Sequence, residues 1–396
     1  MEILYVAHCV PWPPDKGDRI RAYHSIRELA KQHRVHVACF TRNARDAEAT
    51  SELSSRLASF RVEVLDLPGA FARGLLELAR GGSFTVGFHR HGALLAHVRS
   101  VLASRQIRAV VLISSSSAAY APDTVPLLAD WGDVDSEKLL QYAAMRRPRW
   151  PHRLEGRRLR WVECDVALHA ERTFLTTEPE LALFRRIAPS AVASRCGNGV
   201  DTEYFNPCAV TAPRELAGRR FIAFVGVMNY FPNIDAAKWF AAEVFPALRD
   251  RDPALELLLV GRDPTRAVTQ LGKQPGIAVT GEVADVRPYL VAARGVIAPL
   301  RIARGIQNKV LEALAMGKRV LGSDAVCQTF APDCPVGLVR CAGASDYLRA
   351  VAELPTTPAA DDVIVRATRA RFSWSAALAP IMAELERLEH GTVEVV

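Results

Sequence analysis

Short apolar runs alternate along the chain with longer stretches in which apolar residues recur every three or four positions. The short runs predict buried strands and the periodic stretches predict helices. Predicted strands are 3–7, 35–40, 62–67, 108–113, 125–130, 221–226, 255–261, 277–281, 296–300 and 319–322. Predicted helices include 19–31, 47–57 and 374–388. This alternation indicates βαβ units and parallel sheets, an α/β fold class.

The chain is too long for one ordinary domain, because 396 residues exceed the size at which a single hydrophobic core stops growing. The stretch 198–219 combines turn formers with prolines and fits a linker. We therefore predict a first domain at 1–205, a second domain at 206–372 and a C-terminal helical segment at 373–396.

Composition changes this picture little. The formal net charge of +7 and the pI near 9.1 suit anionic ligands or an anionic membrane surface. No nucleic-acid-binding motif accompanies the charge, so nucleic acid is not a predicted partner. The 8 cysteines are scattered without a C-x-x-C pair, which predicts neither a disulfide framework nor a metal site. No run approaches the roughly 18 apolar residues of a membrane span, and MEILYVAH reads as a strand without a basic leader, which predicts a cytoplasmic protein.

The densest concentration of chemistry lies in 296–323, where a strand leads through a basic loop into a helix and a second strand. Gly305 could open this helix, so that its first amides present N–H groups to an anion. Arg301 and Lys309 add positive charge, which suits a diphosphate. Glu312 is placed to accept hydrogen bonds from sugar hydroxyls such as those of a ribose. The simpler alternative is that Lys309 and Glu312 form an i, i+3 surface pair.

The string APLRIARGIQNKVLEALAMGKRVL resembles the C-terminal signature of glycosyltransferase family 4. In that family a loop, a glycine, a lysine and a glutamate on one helix hold a nucleotide-sugar donor. Two glutamates eight positions apart are usual; Glu312 matches the second, whereas Arg304 stands where the first is expected. Polar residues that follow other predicted strands complete the set of predicted donor-binding residues, which is Gly305, Ile306, Gln307, Asn308, Glu312, Asn229, Arg262 and Glu282.

The loop at 8–24 follows the first predicted strand and contains PPDKGDRIRAYH. Gly17 permits close backbone approach, and Asp18 could cap the helix that follows. Arg19 and Arg21 make the loop basic. A proline-stiffened active-site loop and a structural turn with a good cap both fit this composition. The absence of a G-x-G-x-x-G pattern here counts against a dinucleotide-dependent dehydrogenase.

The segment GDVDSEK at 132–138 also follows a predicted strand, and Asp135 could either cap a helix or bind an acceptor hydroxyl. Together with PPDKGDRIRAYHSIRELA, it resembles the sugar transferases associated with the exosortase and PEP-CTERM exopolysaccharide systems of Gram-negative bacteria. The resemblance implies a GT-B fold, with two Rossmann-like domains whose parallel sheets face one another across a cleft. It also implies that the terminal helix at 373–396 packs back toward the first domain.

In this interpretation the first domain binds a glycan or lipid-linked acceptor and the second binds the donor. The predicted acceptor-binding residues are Gly17, Asp18, Arg19, Arg21, Ser136 and Lys138. The predicted catalytic residues are Arg301, Lys309 and Asp135. Arg301 and Lys309 would stabilise charge on the departing diphosphate in place of a metal. The nucleotide-diphosphate sugar is then a substrate, and no cofactor or metal is expected.

The segment 146–161, RRPRWPHRLEGRRLRW, is rich in arginine and tryptophan. If Pro151 opens a helix, Leu154, Trp161 and Cys164 would share one face while arginines project elsewhere. Such a helix either packs on the first domain with a solvated basic face or lies on an anionic membrane. The second alternative places the protein peripherally on the inner face of the plasma membrane.

The predicted function is a retaining glycosyltransferase of hexosyltransferase type in exopolysaccharide or cell-surface polysaccharide biosynthesis. The retaining outcome and the biological role are implied by the resemblance alone. Two alternatives stay open. A nucleotide-sugar epimerase of the same fold needs no acceptor, and a non-catalytic partner subunit is favoured by Arg304.

Overall fold

The computed structural model describes residues 1–43, 54–145 and 148–391 of the chain. It divides into two compact units. The first unit comprises Met1–Asn198 and the C-terminal segment from Ala377, and the second comprises Gly199–Ala376. The helix predicted at 47–57 falls mostly on residues outside the described ranges.

A parallel sheet, seven-stranded within the described residues, forms the centre of the first unit. Its strands are β1 (Glu2–Ala7), β2 (Arg34–Thr41), β3 (Ser59–Val64), β4 (Ile107–Ile113), β5 (Leu127–Gly132), β6 (Arg172–Leu175) and β7 (Ala193–Arg195). Their order is β3-β2-β1-β4-β5-β6-β7, and all neighbours are parallel. The inner strands are almost continuous apolar runs because both faces of a parallel sheet are covered.

Helices connect these strands. They are α1 (Gly17–Leu29), α2 (Leu67–Ala79), α3 (Phe84–His89), α4 (Gly92–Ser104), α5 (Asp135–Met145), α6 (Trp150–His169) and α7 (Glu178–Ile187). A 3₁₀ segment, Ser115–Tyr120, follows β4.

The second unit is built on a parallel sheet with six strands in the described ranges. They are β8 (Arg220–Val225), β9 (Leu255–Val260), β10 (Ile277–Gly281), β11 (Gly295–Ala298), β12 (Val320–Ser323) and β13 (Leu338–Cys341), in the order β10-β9-β8-β11-β12-β13. Its helices are α8 (Phe231–Glu243), α9 (Phe245–Arg251), α10 (Arg266–Leu271), α11 (Arg287–Ala292), α12 (Asn308–Ala315), α13 (Asp324–Thr329), α14 (Ala344–Ala352), α15 (Asp362–Phe372) and α16 (Trp374–Ala377).

The chain then returns to the first unit as α17 (Ala379–His390). Ile381 and Leu385 of this helix are buried, and the Glu384 carboxylate accepts a hydrogen bond from Arg172 Nε at 2.9 Å. The two parallel sheets confirm the predicted α/β class. Since all strands of each sheet are parallel, their carboxyl ends lie along one edge, where open α/β sheets bind ligands.

The chain enters the second unit at Gly199, before the predicted boundary at 205/206. A Cβ on Gly199 would lie 2.8 Å from Trp374 Cα, and Val200 N donates to Phe372 O at 2.7 Å. The segment that was expected to end the first domain is therefore held by the last helices of the second.

Two local predictions need correction. The strand predicted at 62–67 ends at Val64, because Asp66 accepts a hydrogen bond from Gly69 N at 3.0 Å and caps α2. On α6 the buried face consists of Gly156, Leu159, Glu163, Val166 and Ala167. Leu154 and Trp161 lie on the opposite side, but Trp161 is exposed there and the exposed Arg157 lies on the same side instead of projecting elsewhere.

Arg21 was predicted to bind an acceptor, but the structure commits its guanidinium to the fold. Nε and Nη2 donate to the buried Asp130 carboxylate at 2.8 and 2.7 Å. Nη1 donates to Gly197 O and Asn198 Oδ1, both at 2.9 Å, and Nη2 also donates to Cys196 O at 3.1 Å. These five bonds use all five N–H donors of an arginine, so none is left for a substrate.

Replacing Arg21 by Met should destabilise the first unit by about 3–5 kcal/mol, because the Asp130 carboxylate would stay buried without its cation. Urea unfolding followed by circular dichroism measures the change. Lys31→Met is the control, since the exposed Lys31–Glu28 pair at 2.7 Å should contribute less than about 1 kcal/mol. Equal effects of the two substitutions would show that Asp130 does not depend on Arg21.

Candidate functional site

The carboxyl end of β8 meets the carboxyl end of β9 through direct backbone packing. Gly226 N donates to Val260 O at 3.0 Å, and Met228 N donates to Arg262 O at 2.8 Å. Gly261 has φ 146, and a Cβ on it would lie 1.8 Å from Gly226 O. Only glycine fits at position 261, and the two strand-end loops can therefore lie against each other.

Lys309 lies over this glycine contact. Its Nζ donates to Asn233 Oδ1 at 2.5 Å and lies 4.9 Å from the centre of the Phe224 ring. Asn233 is itself oriented, because its Nδ2 donates to Val227 O at 2.9 Å. A Cβ on Gly226 would come within 3.0 Å of Lys309 Nζ. The missing side chain at Gly226 thus makes room for the ammonium group.

Lys309 and Glu312 share a half-buried recess one turn apart on α12. Burial lowers the pKa of Lys309 to about 8, against the opposing effect of Glu312. Burial also raises the pKa of Glu312 to about 7, while Lys309 acts to lower it. The simpler alternative of a solvated surface pair does not fit this burial. A dianionic or trianionic ligand beside Lys309 would favour its charged form.

The helix α12 begins at Asn308, not at Gly305 as predicted. Gly305 has φ 62 and belongs to the preceding turn, in which Gln307 Nε2 donates to Arg304 O at 3.0 Å and to Gly305 O at 3.3 Å. The first amides of the helix are therefore those of Asn308 and Lys309, because Val310 N already donates to Gln307 O.

Arg301 is exposed and its guanidinium is paired with Asp235 on α8, with Nε donating to Oδ2 at 2.8 Å. This hydrogen bond raises the pKa of Arg301. No sequence pattern identifies Asp235 as the partner of Arg301. An exposed ion pair is weak, so an incoming phosphate can compete with the carboxylate.

The other predicted donor-binding residues lie on loops at the carboxyl ends of their strands. Asn229 and Glu282 are exposed, after β8 and β10. Arg262 is half-buried after β9, with Nε 4.0 Å from Asp263 Oδ2. Gly261 N donates to Gly281 O at 3.2 Å, which joins the loops after β9 and β10. Ile306 is half-buried in the turn before α12.

Sequence analysis also missed an aromatic group near Glu312. The Arg287 guanidinium stacks on the Tyr204 ring at 3.7 Å and is held by Asp285, whose Oδ2 accepts from Nη2 at 2.7 Å. Burial and the Asp285 carboxylate raise the pKa of Tyr204, and Glu312 adds to this effect. Nothing in the sequence pattern around 204 connects it with residue 287.

In the first unit, a charged cluster follows β1 and β5. His8 Nε2 lies 3.5 Å from Asp18 Oδ2, and Asp135 Oδ2 accepts a hydrogen bond from Ser115 Oγ at 3.1 Å. Burial raises the pKa of Asp135, and Lys138 opposes this. Burial acts to lower the pKa of Lys138, but Asp135, Asp133 and other nearby acidic groups together outweigh it and the pKa is raised. The structure thus brings the predicted Asp135 and Lys138 together, with the unpredicted His8 beside Asp18.

Other predicted acceptor residues have different roles from those expected. α1 begins at Gly17 with Lys16 as its N-cap residue, so Asp18 lies in the first turn and is not the cap. Gly17 is exposed, and Arg19 Nη1 lies 3.6 Å from Asp15.

Ser136 is fully buried and cannot reach a substrate. Its N donates to Glu163 Oε1 at 3.1 Å, and its hydroxyl donates to Glu163 Oε2. Burial raises the pKa of Glu163 to about 8. Sequence analysis overlooked Glu163, which ties the start of α5 to α6.

Within the described residues, no group of three or more His, Cys, Asp or Glu side chains could hold a metal ion. The same residues include no helix long and apolar enough to cross a membrane.

The comparisons with known proteins agree with this architecture. No curated protein matches the sequence. The family profile described as glycosyl transferases group 1 matches residues 219–354, which include Gly226, Lys309 and Glu312. Among solved structures, sucrose-phosphate synthase from Thermosynechococcus elongatus is similar at 15% identity with a TM-score of 0.70, over 99% of this chain and 100% of that chain.

Two further solved structures are similar over almost the whole chain. HepE from Anabaena, in complex with UDP, is 14% identical with a TM-score of 0.65, over 98% of this chain and 100% of that chain. The α,α-trehalose 6-phosphate synthase from Burkholderia multivorans is 12% identical with a TM-score of 0.61, over 98% and 99% of the two chains. The chain therefore has the GT-B fold, and residues 219–354 of its second unit match the glycosyl transferases group 1 profile.

Proposed function

We propose that this chain is a retaining glycosyltransferase of hexosyltransferase type. It moves a sugar from a nucleotide-diphosphate donor to a glycan or lipid-linked acceptor during assembly of an exopolysaccharide or other surface polysaccharide. The observation that carries the proposal is the half-buried pair of Lys309 and Glu312, in which Lys309 Nζ lies over the Gly226–Gly261 contact. The retaining outcome and the biological role rest on the sequence resemblance.

The donor would bind at the carboxyl edge of the second sheet. HepE is similar in structure and has been solved with UDP and with UDP-glucose, which supports a nucleotide-diphosphate sugar. Lys309 and the first amides of α12 would contact the diphosphate, and Arg301 would join them on release from Asp235. The Glu312 carboxylate accepts no hydrogen bond within the described part of the chain and would accept those of the ribose hydroxyls.

Transfer breaks the bond between the anomeric carbon and a diphosphate oxygen, and the electron pair stays on the diphosphate. Lys309 would stabilise this charge from a position fixed before the reaction by Asn233. Since the positive charges come from side chains and amides, we expect the transfer to proceed without a metal ion. The acceptor would bind to Asp18, Asp135 and Lys138 of the first unit. The Asp135 carboxylate would accept a hydrogen bond from the acceptor hydroxyl.

The basic segment 146–161 is relevant to a lipid-linked acceptor. Arg153 and Arg157 are exposed on α6 and could contact an anionic membrane surface. This would place the protein peripherally on the inner face of the plasma membrane, where a lipid-linked acceptor is presented.

A panel of nucleotide-diphosphate sugars separates this proposal from its alternatives. We expect thermal stabilisation by a subset of the panel, and sugar transfer only when an acceptor extract is added. Conversion of the donor sugar without an acceptor would identify an epimerase. Stabilisation by no nucleotide and no turnover would favour a non-catalytic subunit, consistent with Arg304 at the position of a glutamate.

Lys309→Met should lower kcat by about a hundredfold while raising the donor KM only modestly, because charge accumulates on the diphosphate chiefly in the transition state. Affinity for the nucleoside diphosphate should also fall in the wild type as the pH rises through about 8, where Lys309 loses its proton, and this change should be absent in the variant. Lys273→Met, at an exposed lysine of the same unit, is the control. Unchanged kcat with a sharply raised KM would assign Lys309 to ground-state binding.

Gly226→Ala should weaken nucleoside diphosphate binding by about tenfold or more, because packed groups yield little to an added methyl group. The new Cβ would lie 2.8 Å from Asn233 Nδ2 and 3.0 Å from Lys309 Nζ. Isothermal titration calorimetry measures the affinity, and circular dichroism checks the fold. Gly343→Ala is the matched control, since no atom lies within 4 Å of its added Cβ. Equal affinities in both variants would remove the recess from the binding site.

A further inference from the structure

The helix α2 exposes its large apolar side chains, whereas a helix that packs only on its own unit would bury them. Its buried positions are small, Ala70 and Gly74. Its large apolar residues are 48% to 54% exposed, and they are Leu67, Phe71, Leu75 and Leu76. An isolated exposed leucine is ordinary, but a contiguous set of this size on one helix marks an interaction surface.

The small residues of α2 are explained by its contact with α3. A Cβ on Gly74 would lie 2.6 Å from the Phe84 ring, and one on Gly87 would lie 2.9 Å from Arg73 O. The two helices therefore approach through glycine, which leaves the larger side chains of α2 pointing away from α3. Phe71 still contacts α3, because its ring centre lies 5.3 Å from that of Phe84.

The charged residues of α2 lie on a different side of the helix from its large apolar residues. On a helical projection of about 100° per residue, Leu67, Phe71, Leu75 and Leu76 span about half of the circumference without a charged residue. Arg73 and Glu77 occupy the remaining side, and Glu77 is paired with Arg90 at 3.8 Å.

The end of α2 is attached to the basic helix α6. The Glu155 carboxylate accepts hydrogen bonds from Ser83 Oγ at 2.6 Å and from Phe84 N at 2.8 Å. Arg158 donates to Gly81 O, directly after α2. These contacts join the loop after α2 and the start of α3 to α6, at residues next to or close to Arg157 in the chain.

The exposed face of α6 combines tryptophan with arginine. Trp150, Arg157 and Trp161 follow each other at spacings of seven and four residues, which places them on one side of the helix. Trp150 and Trp161 are 67% and 78% exposed. Arg153 and Arg157 are also exposed, and neither forms an ion pair with a described residue.

We propose that the exposed residues of α2 and α6 form one docking surface for an anionic lipid bilayer, in which α2 supplies the inserted apolar face and α6 supplies interfacial tryptophans and arginines. We call it the α2–α6 surface; its residues are Leu67, Phe71, Leu75, Leu76, Trp150, Arg153, Arg157 and Trp161. The inference deepens the proposed function, because a lipid-linked acceptor would give this surface its use.

A bilayer fits this surface better than a protein partner does. Stable peripheral binding needs two signals, apolar insertion and electrostatic attraction, and the exposed residues of α2 and α6 supply one each. Arginines without carboxylate partners match a surface of negative headgroups, whereas a second copy of the same face would bring like charges together. Tryptophan beside arginine is typical of the boundary between headgroups and acyl chains.

The test is sedimentation with vesicles of phosphatidylcholine alone or with about 30% phosphatidylglycerol, at low and high salt. We expect the wild type to bind the anionic vesicles. The variant Phe71→Ser/Leu75→Ser/Leu76→Ser should bind them about tenfold more weakly at both salt concentrations. The variant Arg153→Gln/Arg157→Gln should bind more weakly at low salt and resemble the wild type at high salt. Val363→Ser, at an exposed valine of the second unit, is the control and should bind normally.

The serine positions are exposed, so these variants should fold, and circular dichroism checks this. Wild-type binding by the triple serine variant would overturn the inference. So would a wild-type dimer in analytical ultracentrifugation that the triple variant abolishes, because it would show that a second copy covers the surface. Titration with each of the nucleoside diphosphates of the donor panel keeps this result separate from the proposed function. Nucleotide binding without vesicle binding refutes only the docking surface, and vesicle binding without nucleotide binding refutes only the donor site.

Discussion

The ammonium group of Lys309 is the feature around which the second unit's strand edge is arranged. A buried cation is costly unless hydrogen-bond acceptors and negative charge compensate it. Here one amide oxygen, from Asn233, and the Glu312 carboxylate compensate the charge only in part, so burial lowers the pKa of Lys309 to about 8. The recess exists because the residue that follows β8 is Gly226. Gly226 and Asn233, which follow β8, thus hold the Lys309 ammonium group in place while its charge stays incompletely neutralised.

The strands were predictable because strands of a parallel sheet are apolar on both faces, so that LELLLV and IAVTG are visible without a structure. The first turn of α12 was not. The sequence around Gly305 resembles a helix start, but Gly305 has a positive φ and belongs to a turn. A hydrogen bond from the Gln307 side chain to Arg304 O stabilises this turn. Because of this turn, the helix starts about one turn later than predicted, at Asn308. Arg304 belongs to this turn, at the position that the sequence resemblance aligns with a glutamate of family 4.

Side-chain partners were the least predictable part of the site. Arg21 lies in a basic loop at a strand end, which is where a ligand-binding arginine is expected. Its partner Asp130 is 109 residues away, and no local pattern links the two. The same reason explains why two other pairings could not be predicted, Ser136 with Glu163 and Arg301 with Asp235. The apolar face of α2 escaped notice because periodicity reports that a helix has an apolar side and does not say what that side contacts.

The return of the chain to the first unit has a consequence for the order in which the molecule is made. Every residue of the second unit, Gly199–Ala376, precedes α17 in the chain, although α17 belongs to the first unit. On the ribosome the second unit can therefore complete its core while the first still lacks the helix that buries Ile381 and Leu385. The first unit therefore begins to be synthesised before the second unit but completes its fold after it.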